Sequence, residues 1–418
     1  MRGGLRSYLE LARLGTFRNL ALGTFVSNLG DGMAVVAVPW LALHLAGSTS
    51  PALAVGLALA ATYAPAVPVG LLLGLISRDV PARTAVAVDC VVRGGLLTVV
   101  ALVAWAGRLE LATYVVLLAC SALFRTLGLG GQRTLVAALV DPDRRFGANS
   151  LISTLQQFST LILGPALGGI GTALLGANVV LLLDGISFGA LLLAVLAIPA
   201  RRAAAIRARG TRVTALGSLL AYPRVAVVLL VAFVFYAAYG PFEVAVPLQV
   251  RSQLHGGAAL LGQLWTVLGV GAVASSMLAG IVRRVPMRAL IVLVMLGWGL
   301  ATAVFAFATS AMPALLAFAA GGLAWGPYLA VVTTVLQNEV RAGHIASVNL
   351  SWASMTFVAT PLGVVAASPL VTWLGAPGTL RLSAVVTVAL ALVTIVPEVL
   401  LRGTGSGAGS DRSAGGQA

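Results

Sequence analysis

The sequence predicts an all-α membrane protein: twelve transmembrane helices in two pseudo-symmetric six-helix bundles. Three observations carry that expectation. Apolar residues fill 59% of the 418 positions and charged residues only 9%, with a mean hydropathy of +1.02, whereas soluble domains carry about 25% charge. Twelve apolar runs come close to the about 20 residues that cross a bilayer. The chain also repeats itself. Val80-Pro81-Ala82-Arg83 aligns with Val285-Pro286-Met287-Arg288 at an offset of 205 residues, and Gly164-Pro165 with Thr360-Pro361 at 196. Two matches at nearly one spacing are the signature of a duplicated half.

In chain order, residues 1–18 are polar and basic and read as a cytoplasmic segment. The first bundle, residues 19–200, contains runs at 19–45, 52–76, 84–106, 112–131, 148–174 and 178–197. A polar cytoplasmic linker, residues 201–224, leads to the second bundle, residues 225–401, with runs at 225–246, 260–282, 289–308, 312–334, 347–374 and 380–401. Residues 402–418 are rich in Gly and Ser and too poor in apolar side chains to offset the entropy of ordering, so a disordered tail is expected. The first run is too long for a signal-peptide core and reads as a retained span.

All 26 basic residues are Arg, and the chain has no Lys. A phosphate-binding loop of the Gly-Lys-Ser/Thr type is therefore excluded, which argues against transport driven by this chain's own ATP hydrolysis. With the N-terminus inside, 21 Arg fall in cytoplasmic segments, three (Arg108, Arg251, Arg381) in external loops, and Arg93 and Arg125 within spans. That bias places both termini in the cytoplasm, and the expected location is the inner membrane. It also accounts for the net charge of +14, so no nucleic-acid partner is expected. Cys90 and Cys120 sit in apolar runs as packing residues. His44, His255 and His344 are scattered, and no metal or other cofactor is expected. Gly269-Val270-Gly271-Ala272-Val273-Ala274 matches a dinucleotide fingerprint, but no strand precedes it, and close helix packing explains it better.

Twelve spans, the duplicated half, the basic central loop and the repeated Val-Pro-x-Arg turn resemble the major facilitator superfamily over residues 15–401. The family's loop signature after span two has its counterpart in Gly74, Arg78, Asp79 and Arg83, with the Asp and Arg exchanged. The resemblance implies a cytoplasmic latch there. Phe17-Arg18, Ser27-Asn28-Leu29-Gly30-Asp31, Pro39, Asp89 with Arg93, and Ala148-Asn149 are similar to the drug- and siderophore-exporter branch that includes enterobactin exporters. Gly164, Pro165, Gly168 and Gly169 in span five are similar to the family's antiporter motif, which implies export rather than uptake.

Carboxylates inside a membrane are costly, about 2.5–3.5 kcal/mol each on the insertion scale, and mark candidate sites. Asp31 lies roughly 18 Å along span one, near the midplane, and is the best placed to exchange a proton between the two sides. The plainer reading is a structural hydrogen-bonder beside Asn28. Asp89 and Arg93 are four residues apart on one face and are expected to pair, as a gate or a support of the fold. Arg125 in span four either perturbs a nearby carboxylate or holds an anion, unless it simply neutralises Asp31 or Asp89. Asp184 and Glu243 are each placed about five residues from an outer span end, lining an external vestibule. Glu243 is the stronger of the two, because Tyr236, Tyr239 and Pro241 surround it with aromatic surface in a helix prone to break, a mixture suited to an amphipathic or cationic ligand. Asn28, Gln156, Gln263, Trp265 and Trp325 complete the expected substrate cavity, and Glu243 joins Asp31 and Arg125 as an expected proton-coupling residue.

The expected function is export of a small amphipathic organic molecule in exchange for protons by a monomer with alternating access. An uptake permease on the same fold and a non-transporting receptor or subunit are the alternatives. No enzymatic constellation of nucleophile, base and orienting group is expected.

Overall fold

The computed structural model describes residues 13–66, 80–199, 222–278, 287–340 and 345–405. Within these the chain is helical, as it must be where lipid cannot bond to backbone N–H and C=O groups. In order the helices are α1 (Gly15–Leu45), α2 (Pro51–Tyr63), α3 (Ala82–Trp105), α4 (Leu111–Leu139), α5 (Arg145–Gln157), α6 (Gly164–Leu175), α7 (Ala177–Leu196), α8 (Pro223–Ser252), α9 (Ala258–Leu278), α10 (Met287–Ala306), α11 (Ala311–Trp325), α12 (Tyr328–Asn338) and α13 (Ile345–Gly405). A π-helical turn, Phe158–Leu163, joins α5 to α6. Ten described segments are long and apolar enough to cross a membrane, and α2 is apolar but shorter. Gly74, Arg78 and Asp79 lie outside the described residues, as do nearly all of the 201–224 linker and most of both terminal segments.

Several runs end elsewhere than the sequence suggests, each for a local reason. α8 continues to Ser252 although Pro241 and Pro247 lie inside it, because a proline removes one helical hydrogen bond and kinks a packed helix without ending it. The run at 312–334 is divided at Gly326-Pro327 into α11 and α12. The last two runs are both helical and meet at a kink at Gly375, whose φ of 71° is open to glycine and strained for other residues.

α1 packs on α7, and α3 on both α4 and α7; α8 packs on α13, α9 on α11, and α10 on α11 and α13. The largest contacts between helices before residue 200 and helices after residue 222 are α6 with α9 and α2 with α13. Small residues make close approach possible. A Cβ added at Gly164 would lie 2.5 Å from Gly32 Cα, and one at Gly262 would lie 2.7 Å from Gly169 Cα. Both neighbours are backbone, which cannot rotate away. Gly164→Ala is therefore expected to destabilise the protein by about 1–3 kcal/mol through overpacking, measured by thermal unfolding in detergent. An unchanged midpoint would show that α1 and α6 separate easily.

Candidate functional site

Helical spacing brings a polar set to the centre of the molecule. On α1, Asp31, Ala34, Val35 and Val38 recur at intervals of three and four and so share one face. Facing them are Leu118, Ser121 and Arg125 of α4 and Glu243 and Pro247 of α8, spaced in the same way. Between these faces are two adjoining cavities of about 160 Å³ each, which share Tyr63, Glu243 and Trp265. Residues from before 200 and from after 222 line both.

The first cavity is the charged one. Arg93 Nη2 donates to Asp31 Oδ1 at 2.5 Å, while Arg93 Nη1 stands 3.9 Å from Asp89 Oδ2. The Arg93 guanidinium also lies over the Phe188 ring, 4.4 Å from its centroid. Asp184, 1% exposed, lines the same cavity from α7, and Ser187 donates to its backbone carbonyl at 2.6 Å. Two carboxylates thus pair with one cation, and a third lines the same cavity. Asp89 Oδ1 is buried and has no partner among the described residues.

This arrangement differs from the expected one. Asp31 is the main partner of Arg93, and Asp89 the secondary one. Arg93 begins its fourth turn of α3, about 17 Å from Ala82, which puts it at the depth of Asp31 rather than at a cytoplasmic gate. Arg125 lines the cavity and makes no hydrogen bond or ion pair among the described residues, so neutralising Asp31 falls to Arg93. Arg83 donates to the Leu196 carbonyl at 2.7 Å, tying the start of α3 to the end of α7.

The second cavity is aromatic. Tyr63 donates its hydroxyl proton to Glu243 Oε1 at 2.9 Å, across from α2 to α8. Glu243 Oε2 is buried and unpartnered among the described residues. Tyr239, Trp265, Trp298 and Trp325 form the walls. The external vestibule expected around Glu243 and Asp184 is not where they lie. Because α8 extends to Ser252, Glu243 is nine residues from that end, about 14 Å deep. Asp184 borders the charged cavity but is almost wholly enclosed by protein.

Four of the expected cavity residues stand off both cavities. The Asn28 amide donates to the Thr24 carbonyl of its own helix at 2.7 Å. Gln156 is half-buried on α5, and Gln263 is exposed on α9. Tyr236 packs in an aromatic cluster with Phe235, Tyr328 and Trp352. Gly164, Pro165, Gly168 and Gly169 lie on the α1, α6 and α9 contacts: Gly168 abuts the Met33 backbone and Gly169 abuts Gly262. Tyr63 is a residue lining both cavities that the sequence pattern does not single out. Its signal was available, since it is an aromatic residue mid-span, away from the interfacial belt.

A family model described as Major Facilitator Superfamily matches residues 20–360. The chain is 27% identical over 401 residues to the multidrug efflux pump Tap of Mycobacterium tuberculosis (strain ATCC 25618 / H37Rv), with 90% of this chain and 92% of the pump covered. It is 25% identical over 380 residues to the uncharacterized MFS-type transporter y4rN of Sinorhizobium fredii, with 88% and 91% covered. The crystal structure of the nucleoside transporter NupG matches with a TM-score of 0.71 at 14% identity, with 90% of this chain and 98% of NupG covered. That last likeness concerns the fold.

Proposed function

The chain belongs to the Major Facilitator Superfamily, as a multi-pass membrane transporter of small molecules, and on that premise we propose that it exports an amphipathic organic molecule in exchange for protons. The observation that carries this reading is the pair of joined cavities. One holds Asp31, Arg93 and Arg125, the other is aromatic, and Glu243 borders both. The 27% identity to a multidrug efflux pump supports export. In this reading the protein is a monomer in the inner membrane with both termini cytoplasmic. Twelve spans form two six-helix bundles, counted with α2 as a full span and α13 as two.

The mechanism follows from the charges. When Asp31 is ionised, its contact with Arg93 holds α1 to α3. When Asp31 takes a proton, Arg93 keeps a second carboxylate, Asp89, within reach, so the cation stays neutralised while α1 is released. Occupation of the aromatic cavity and protonation of Asp31 then compete for one conformational equilibrium, each shifting it by its differential affinity for the two states. The two bundles would rock about the α2–α13 and α6–α9 seams.

Inverted membrane vesicles test this directly. With an acid interior they are expected to accumulate a fluorescent amphipathic cation, and to lose it when a protonophore is added. Uptake confined to right-side-out vesicles would reverse the proposed direction, and accumulation indifferent to the protonophore would remove the proton coupling.

A further inference from the structure

The two guanidinium groups on the charged cavity are in opposite situations. Arg93 is engaged by Asp31 and Asp89 and packed against Phe188. Arg125 of α4 is half-buried on the wall of the same cavity and makes no hydrogen bond or ion pair among the described residues. A guanidinium carries five N–H donors in a planar fork, and a charge held at membrane depth is costly without a partner. Arg125 is thus a cation whose whole donor set is still open.

The rest of the polar lining is already committed to protein. The hydroxyls of Thr62, Ser121 and Thr160 donate to the carbonyls of Ala58, Leu118 and Asn28, and that of Tyr63 donates to Glu243. Among the carboxylates, Asp31 and Asp89 share Arg93, and Asp184 is enclosed by protein. Glu243 borders both cavities and is in no ion pair among the described residues. One cation and one carboxylate without counter-charges therefore remain on the walls, Arg125 from before residue 200 and Glu243 from after residue 222.

Taking the chain as an exporter of amphipathic molecules, we infer that its substrate class is amphoteric: a zwitterion whose carboxylate is held by Arg125 and whose ammonium lies beside Glu243 against the aromatic wall. The planar fork of an arginine matches a carboxylate in a bidentate pair, and the faces of Tyr239 and Trp265 suit the cationic end. The two wall charges also select against simpler ions. A molecule with only a positive charge gains from Glu243 but is opposed by Arg125, and one with only a negative charge meets the reverse. A zwitterion gains at both ends and adds no net charge to the cavity. Because its ends are held by α4 and α8, it bridges the two halves of the chain, so its binding depends on how they are arranged.

The test uses the full chain purified in maltoside detergent and probes of one aromatic skeleton at neutral pH: ciprofloxacin, which carries a piperazinium and a carboxylate; its methyl ester, a cation; and its N-acetyl derivative, an anion. Binding is read by equilibrium dialysis and thermal shift. Wild type is expected to bind ciprofloxacin about tenfold more tightly than either derivative, as charge-assisted hydrogen bonds would give. Arg125→Gln should weaken ciprofloxacin about tenfold and leave the methyl ester unchanged or tighter, so that the preference disappears. Arg125→Lys, which keeps the charge without the fork, should fall between. Equal binding of ciprofloxacin and its ester to wild type would overturn the inference, as would a loss in Arg125→Gln shared by both or failure to bind any of the three. Should Arg125→Gln not fold, the wild-type preference and Arg125→Lys decide alone. Inverted vesicles that accumulate the ester but not ciprofloxacin would leave proton-driven export standing and remove the amphoteric class. Arg125-dependent binding of ciprofloxacin without accumulation in vesicles of either orientation would keep the seat and remove export.

Discussion

Arg93→Ala is expected to destabilise the purified protein by about 3–5 kcal/mol, the usual consequence of removing one member of a buried ion pair. The side chain is 11% exposed and that of Asp31 20%, so water compensates little. Asp89 would also lose the cation beside it. Asp31→Asn should be much milder, because Arg93 retains Asp89 at 3.9 Å. The double variant Asp31→Asn/Arg93→Gln should recover much of the stability lost in Arg93→Ala, since it removes charge of both signs. Transport separates the structural from the coupling role. Both Asp31→Asn and the double variant are expected to lose accumulation driven by a proton gradient, while substrate binding persists. A stable Arg93→Ala protein would show that Asp31 and Asp89 are not held by this guanidinium. Gradient-driven accumulation by Asp31→Asn would make Asp31 structural.

How much of this site was legible follows from what each signal measures. Asp31 could be found because an acidic residue halfway through an apolar run is costly wherever the helix packs. The Asp89–Arg93 pair is legible from spacing and is present at 3.9 Å, but the closer partner, Asp31, is not legible in that way. Spacing along one helix reports neighbours four residues apart and says nothing of a carboxylate 62 positions away on α1. The depth of Glu243 differs because the apolar run is drawn to residue 246, whereas α8 continues through Pro247 to Ser252. Gln263 looked functional by its chemistry, but the face it occupies is set by the packing of α9, which turns Trp265 inwards and leaves Gln263 exposed. The Gly164-Pro165 stretch was legible as a motif, but its contacts with Gly32 and Gly262 depend on which helices meet, and periodicity does not specify that. The helical membrane fold itself followed from composition and the lengths of the apolar runs, because a bilayer leaves the backbone few alternatives.

Glu243→Gln is expected to change which molecules are carried rather than whether the protein folds. The substitution keeps the oxygen that accepts from Tyr63 and replaces the unpartnered Oε2 with an amide, so it removes one negative charge at nearly constant shape. In wild type, a monovalent aromatic cation in the second cavity would meet that charge together with the faces of Tyr239, Trp265, Trp298 and Trp325. An aromatic wall contributes about 0.5–2 kcal/mol to a desolvated cation, and it remains in the variant. Loss of the carboxylate should weaken a cation such as ethidium by about tenfold to a hundredfold, at 1.4 kcal/mol per tenfold, while a neutral aromatic of similar size should be nearly unaffected. Tyr63→Phe should fall between, since it frees Oε1 and loosens the carboxylate without removing it. Equal losses for charged and neutral ligands would mean that Glu243 only braces α2 against α8. An unchanged affinity for the cation would place the binding charge elsewhere, and Asp31 is the other acidic group facing the joined cavities with appreciable exposure.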